Sequence, residues 1–272
     1  LALLWFAIIA FSIIVLGLRY LILPNIGDYR DRIAAKVSTV LGQTVTIQDL
    51  HASWNGLNPH LSLRNIDIYD ADQRVALSFQ HIEASVSWLS IPLLEPRLSS
   101  LIIHDPALSI RREEDGTIYV AGMATNGPSR PEFANWLLRQ ASIDVRNASI
   151  TWHDALRKAP ALSLDQLNLH IENPAWSSLI GHHRFGLQAI PSVAASGPID
   201  VRGNVYGKDI GQPDDWRGTL YAHADGTDIA AWRQWLPTNL IDIRQGYGAM
   251  RAWLEFANGA PRKLTSDVIL HN

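Results

Sequence analysis

Leu61–Ile68, LSLRNIDI, alternates apolar and polar residues, breaks step with two polar residues, and then alternates again; LSLDQLNL at Leu162–Leu169 repeats the phrase. Apolar residues at every second position mark a strand with one apolar and one polar face. From Gln43 onward this period dominates. It runs through Val45/Ile47, Leu61/Leu63, Ile66/Ile68, Leu77/Phe79, Ala84/Val86/Trp88, Leu101/Ile103, Leu108/Ile110 and Ile118/Val120. It continues through Ile143/Val145, Ile150/Trp152, Leu162/Leu164, Leu167/Leu169/Ile171, Phe185/Leu187, Ile199/Val201 and Leu220/Ala222. Asn55-Gly56, Asp115-Gly116, Asp225-Gly226 and Asn258-Gly259 supply turn chemistry between the segments. Such short spacing favours antiparallel meanders over βαβ units. The polar pair inside each phrase shifts the parity of the alternation, so a turn or bulge there would return the same apolar face to the next strand.

The phrase belongs to a longer unit. Val45-x-Ile47-x-Asp49-Leu50-x-Ala52-x-Trp54 matches Ile143-x-Val145-x-Asn147-Ala148-x-Ile150-x-Trp152 without a gap. After each tryptophan come a turn, Pro59-x-Leu61 or Pro160-x-Leu162, and then the phrase. SLIIHDPALSI (Ser100–Ile110) is a weaker echo of SIDVRNASITW (Ser142–Trp152). One strand–kink–strand unit used at least twice accounts for the shared order, although any β meander contains some such pairs.

Three segments have helical spacing. In DYRDRIAAKVSTVL (Asp28–Leu41), Tyr29, Ile33, Val37 and Val40 recur on one side and Gly42 suits the C′ position. This helix either rests on headgroups or caps the edge of the following sheet. PEFANWLLRQ (Pro131–Gln140) and DIAAWRQWL (Asp228–Leu236) read as short amphipathic caps. The first eighteen residues, LALLWFAIIAFSIIVLGL, carry no charge and show no polar face. As a helix they reach roughly 27 Å, close to the hydrocarbon thickness of a bilayer. Arg19 and Tyr20 follow as a headgroup-boundary pair, and Pro24 closes the run. No small-x-small cleavage pattern follows, so an uncleaved anchor is preferred to a signal peptide or a buried soluble helix.

Composition narrows the chemistry. The chain has 272 residues, 47% of them hydrophobic, and a net charge of −3, a balance unlike that of a nucleic-acid binder. The absence of cysteine removes disulfides, thiolate nucleophiles and Cys-ligated zinc. No G-x-S-x-G, H-E-x-x-H, P-loop or dinucleotide fingerprint is present. His104-Asp105 and His153-Asp154 are strand neighbours that point to opposite faces, and His182-His183, read as a loop pair, lacks a third ligand at useful spacing. No catalytic residue, metal ligand or cofactor is therefore expected. About fifteen amphipathic strands with few helices leave two solutions, a compact sandwich or a long bent sheet with an open apolar face. The second suits acyl chains. Exposing roughly 0.8 kcal/mol per CH₂ sets a barrier on the order of 20 kcal/mol for a two-chain lipid in water, which an apolar trough would lower.

RYLILPNIGDYRDRIAAKVSTVLGQTVTIQDLHASWNGLNPHLSLRNIDI (Arg19–Ile68), DPALSIRREEDGTIYVAGM (Asp105–Met123) and GYGAMRAWLEFANG (Gly246–Gly259) resemble the YhdP-type members of the AsmA-like superfamily. Gly42-x-x-Val45-x-Ile47 followed by Trp54 is the most specific part. The resemblance implies a single-pass protein of the Gram-negative inner membrane. Its bulk would be a periplasmic β-groove carrying phospholipid toward the outer membrane, and this chain would be the N-terminal portion of a longer protein. The expected fold is mainly β, with an N-terminal transmembrane helix, an elongated, curved, mostly antiparallel sheet forming a hydrophobic groove, and a few capping helices. The expected divisions are an anchor (1–23), a juxtamembrane helix (24–42), a first β-groove unit (43–125), a helical insert (126–141), a second unit (142–226), a short helix (227–238) and the start of a further unit (239–272). The expected groove lining is Val45, Ile47, Leu61, Leu63, Ile66, Ile68, Leu77, Phe79, Leu101, Ile103, Leu108, Ile110, Ile143, Val145, Ile150, Leu162, Leu164, Leu167, Leu169 and Ile171. Expected partners are phospholipid acyl chains, the inner membrane and other envelope proteins. A protein scaffold or assembly factor using the same sheet is the rival reading, and a hydrolase the remote one.

Overall fold

The computed structural model describes residues 2–69, 73–120, 123–124, 131–174, 180–192, 197–228, 235 and 246–271. The apolar run forms α1 (Ala2–Gly17), passes through a π-helical turn (Leu18–Ile22) and a 3-10 segment (Leu23–Tyr29), and continues as α2 (Arg30–Leu41). Pro24 does not stop this helical path. It occupies the start of the 3-10 segment, where a missing N–H leaves no bond unmade, and the bend falls at Asn25 (φ −108°, ψ 18°). Among the described residues, one helix is thus long and apolar enough to cross a membrane. Gly42, at φ 72°, ends α2 with its N–H on Ser38 O, and the Ser38 hydroxyl accepts from Val45 N at 2.8 Å. This turn folds α2 back over the first strands.

Among the described residues, fourteen strands form one curved, open, mixed sheet. They are β1 (Val45–Asn55), β2 (Asn58–Tyr69), β3 (Val75–Val86), β4 (Leu98–His104), β5 (Ala107–Arg112), β6 (Ile118–Val120) and β7 (Met123–Ala124), then β8 (Ser142–Asp154), β9 (Ala159–Glu172), β10 (His182–Pro191), β11 (Ile199–Tyr206), β12 (Arg217–Asp228), β13 (Tyr247–Ala257) and β14 (Ala260–His271). The main path runs β1-β2-β3-β4-β8-β9-β10-β11-β12-β13-β14, with β5, β6 and β7 branching off beside β8. Neighbours are antiparallel except where β4 and β5 lie parallel to β8. Among the described residues, the short α-helices α3 (Ser90–Leu93) and α4 (Pro131–Leu138) and a 3-10 turn (Pro213–Asp215) lie between strands. The helix expected over 228–236 lies outside the described residues, apart from Asp228 at the end of β12 and Trp235. Trp88 follows β3 in a turn rather than standing within a strand.

The parallel seam joins two segments of similar sequence. The two similar segments Ser100–Ile110 and Ser142–Trp152 lie side by side, with Leu101 opposite Ile143, Leu108 opposite Ile150 and Ile110 opposite Trp152. Both kink at the same level, Asp105 at φ 50° and Asn147 at φ 52°, and Asn147 Nδ2 donates to Asp105 Oδ1 at 2.6 Å. Two strands that change parity together keep their apolar faces aligned on both sides of the kink.

Buried side chains form three clusters on one face. In the first, Ile33, Val37 and Leu41 of α2 join Ala34, Val45, Ile47 and Ile66. The second centres on Ala84, Leu101 and Ile143, with Leu137 of α4 packed against it. The third, Ala148, Leu167 and Ala189 with Val145, Ile150, Leu164, Leu169 and Leu187, is built from strand residues alone.

Candidate functional site: an apolar face running across the sheet

Strand pairing joins the apolar positions into rows. Leu63, Ile82, Ile103, Val145, Leu169, Leu187, Val201, Ala222 and Ala252 stand opposite one another on successive strands from β2 to β13. A second row runs Leu61, Ala84, Leu101, Ile143, Ile171, Phe185, Gly203, Leu220, Leu254 and Leu264. Even the glycine is covered, because the Phe185 ring lies where a Cβ on Gly203 would project. The opposite face is mostly polar from β2 to β11, in the series Ser62, Glu83, Ile102, Asp144, His170, Gly186 and Arg202, and continues into Tyr221 and Trp253.

The parity resets that hold these rows together are single left-handed residues. Asn65 (φ 49°) separates Leu61/Leu63 from Ile66/Ile68, and Gln166 (φ 49°) separates Leu162/Leu164 from Leu167/Leu169. A left-handed residue inside a strand inserts the extra step that a bulge requires. In the first hairpin the reset faces its partner directly, with Asn65 Nδ2 donating to Gln48 Oε1 at 2.6 Å. In the second the irregularities are staggered, so Val145 faces Leu169, Ala148 faces Leu167 and Ile150 faces Leu164.

Each anticipated lining residue can now be placed. Ile66 stands between Ile47 and Phe79, Ile68 between Val45 and Leu77, and Leu108/Ile150/Leu164 and Ile110/Trp152/Leu162 form two further rows. Val45, Ile47, Ile66, Leu101, Ile143 and Leu167 are buried and the other fourteen are half-buried. Val45, Ile47 and Ile66 lie beneath α2, so that part of the face is packed core rather than open surface. Arg19 places its guanidinium 5.9 Å from the Tyr20 ring centroid and 5.6 Å from that of Trp54, both at cation–π distance.

The sequence model of one protein family, described as YhdP protein, matches residues 1–272. The chain belongs to the YhdP family. No curated protein and no solved structure matches it.

In this YhdP-family chain the densest polar chemistry sits on the other face, and the sequence reading passed over it. Glu83 Oε1 lies 3.1 Å from His104 Nε2 and 3.8 Å from His81 Nδ1, and Glu83 Oε2 lies 3.5 Å from His60 Nε2. Ser62 Oγ is 3.0 Å from His81 Nε2, and Ser85 Oγ is 3.1 Å from His60 Nδ1. The signal was present as H-x-S and H-x-E on adjacent strands, which places all these groups on one face. The Ser62–His81–Glu83 order resembles a hydrolase relay, but Ser62 stands mid-strand between two partner strands, where ladder bonds occupy the amides an oxyanion hole needs. His81, Glu83 and His104 also offer ligand atoms within 4.8 Å of one another. Yet the two imidazoles lie 15° from parallel with centroids 5.0 Å apart, so their lone pairs do not converge on one point.

The adjacent pairs noted in the sequence separate as strand geometry requires. Asp154 is buried against Arg112, whose Nε donates to Oδ1 at 2.9 Å, while His153 is exposed. Burial pushes the Asp154 carboxyl up, but hydrogen bonds from Arg112 and the Arg157 backbone N–H outweigh it and hold the carboxyl below its ordinary range. His182-His183 is not a loop pair but opens β10. His183 is buried, with Nδ1 2.6 Å from Asn173 Oδ1 and Nε2 2.9 Å from Gly207 O, and burial holds its pKa down. Asn173 Nδ2 in turn donates to Gln140 O, and Gln140 Oε1 accepts from Leu98 N. This buried chain of polar groups ties the strand ends from β4 to β11 together.

Proposed function

We propose that the chain is a membrane-anchored segment of a lipid conduit. It would take phospholipid from the inner membrane toward the outer membrane across the periplasm, with acyl chains lying along the apolar rows and no bond made or broken. The observation that carries the reading is the continuity of those rows from strand to strand, since a mobile acyl chain needs uninterrupted apolar surface rather than a pocket. Family membership and an N-terminal helix fit to cross a membrane support the placement. Leu61, Leu63, Ile103, Val145, Leu162, Leu164, Leu169 and Ile171 are the proposed contacts beyond α2.

The test is site-specific photocrosslinking in membranes. Crosslinkers at Leu63 and Leu164 should capture phospholipid, and crosslinkers at Ser62 and Ser163, on the polar face, should not. Equal capture at all four positions would sink the proposal. Capture of a β-peptide in place of lipid at Leu63 and Leu164 would favour the assembly-factor reading.

A further inference from the structure

Strand directions bring two separate loops to the same end of the sheet, beside α1. The β1–β2 hairpin turns at Asn55–Asn58, and the chain from β3 to β4 turns through Ser87–Arg97. Trp88 makes an edge-on contact with Phe11 of α1, with ring centroids 5.1 Å apart. Trp88 also stacks on Trp54 at 6.4 Å and donates its Nε1–H to Leu57 O at 3.1 Å. Arg19 lies over the other tryptophan. The two loops are thus fastened to each other and to the apolar helix.

We propose that this double loop is immersed in the membrane leaflet next to α1, so that the end of the sheet is inserted among lipids rather than held above them. Three independent features lead there. The first is depth. Phe11 lies eight residues before Arg19, about 12 Å along a helix, so a ring against Phe11 lies well below a headgroup level marked by Arg19. The second is surface chemistry. From Ala84 to Leu94 the chain carries no charge, and Leu89, Ile91, Leu93 and Leu94 are exposed, Leu94 at 93%, alongside Leu57 at 83%. Side chains so exposed in water mark a partner, and a patch continuous with a membrane helix has the bilayer as its neighbour.

The third is the backbone. A loop enters an apolar medium only if its N–H groups are already bonded. The N–H of Leu89 reaches Ser87 Oγ at 3.3 Å. Those of Ser90, Ile91, Leu93 and Leu94 reach Ser87 O, Trp88 O, Leu89 O and Ile91 O, and Pro92 has none. The charges that follow are tied together, with Glu95 3.1 Å from Arg97 and 2.7 Å from Arg139. Leucines outward, bonded amides from Leu89 to Leu94 and paired charges at the rim describe a wedge, with Trp54 beside Arg19 at the interfacial level such rings favour and Trp88 deeper, against Phe11.

The inference rests on α1 being an inserted anchor, and the test separates the two. The chain has no cysteine, so a single environment-sensitive fluorophore can be attached at Leu94→Cys, with Ile9→Cys in α1 and Glu114→Cys in the β5–β6 turn at the opposite end of the strands as references. The full chain is reconstituted in phosphatidylethanolamine/phosphatidylglycerol vesicles containing lipids spin-labelled in the acyl chain. Leu94→Cys should be quenched severalfold more than Glu114→Cys, with blue-shifted emission, and a Leu89→Asp change should reduce both effects while Ile9→Cys stays quenched. If Leu94→Cys behaves like Glu114→Cys while Ile9→Cys is quenched, the anchor stands and the wedge is overturned. If Ile9→Cys is not quenched, both fall.

Discussion

A left-handed residue within a strand or at the joint of two strands ordinarily costs stability, and here four such residues hold one surface together. Asn65, Asp105, Asn147 and Gln166 all have φ near 50°, a region where short polar side chains are tolerated and β-branched ones strained. Asn65→Val should therefore lower stability by about 1–2 kcal/mol in urea unfolding, whereas Asn65→Gly should change it far less. The other decisive residue pair is Arg112–Asp154, with side chains 18% and 1% exposed. Removing one partner leaves a buried charge alone, so Asp154→Ala should cost about 3 kcal/mol. Because the folded carboxyl lies below its unfolded value, its contribution is complete above pH ~4 and is lost as pH falls through the folded value. Thermal melts below that pH should show Asp154→Asn losing less stability with acid than the parent chain.

Among the elements, α2 covers one part of the apolar face, and Leu137 of α4 packs on another, around Ala84, Leu101 and Ile143. The α2 side chains Ile33, Ala34, Val37 and Leu41 occupy the surface of Val45, Ile47 and Ile66, so these apolar positions contribute hydrophobic burial to the fold. A crosslinker at Ile47 should accordingly capture far less lipid than one at Leu164, which packs only among strand residues. Lipid capture at Ile47 equal to that at Leu164 would mean that α2 lifts off the sheet. The sequence carried an amphipathic helix here but not its partner, since spacing shows which side of a helix is apolar and not what lies against it. The same holds for His183. Two adjacent histidines beside a glycine read as a loop, while the structure extends β10 through both and buries one against Asn173 and Gly207.

For the whole molecule the controlling property is continuity. The apolar rows cross antiparallel hairpins and a parallel seam without a polar interruption from β2 to β13. A charge placed in the middle of a row should act on more than its own site. Leu169→Asp should reduce the phospholipid that copurifies with the chain, measured by native mass spectrometry, whereas Ser163→Asp on the polar face should leave it near the parent level. Leu169 is half-buried, so a folded Leu169→Asp protein with unchanged lipid content would argue against conduction along the rows.

The amino-acid sequence by itself determined the strands, the apolar face each one presents, the positions where that face must be reset and the helix fit for a membrane. All of these follow from the direction of adjacent side chains, which is a local property. Only the tertiary structure decided which strands become neighbours, that Ser100–Ile110 lies parallel to its own echo, that α2 closes one end of the face, and that Phe11, Trp54, Leu57 and Trp88 meet. Those contacts join residues far apart along the chain, and their selection depends on long-range strand pairing that a period of two does not specify.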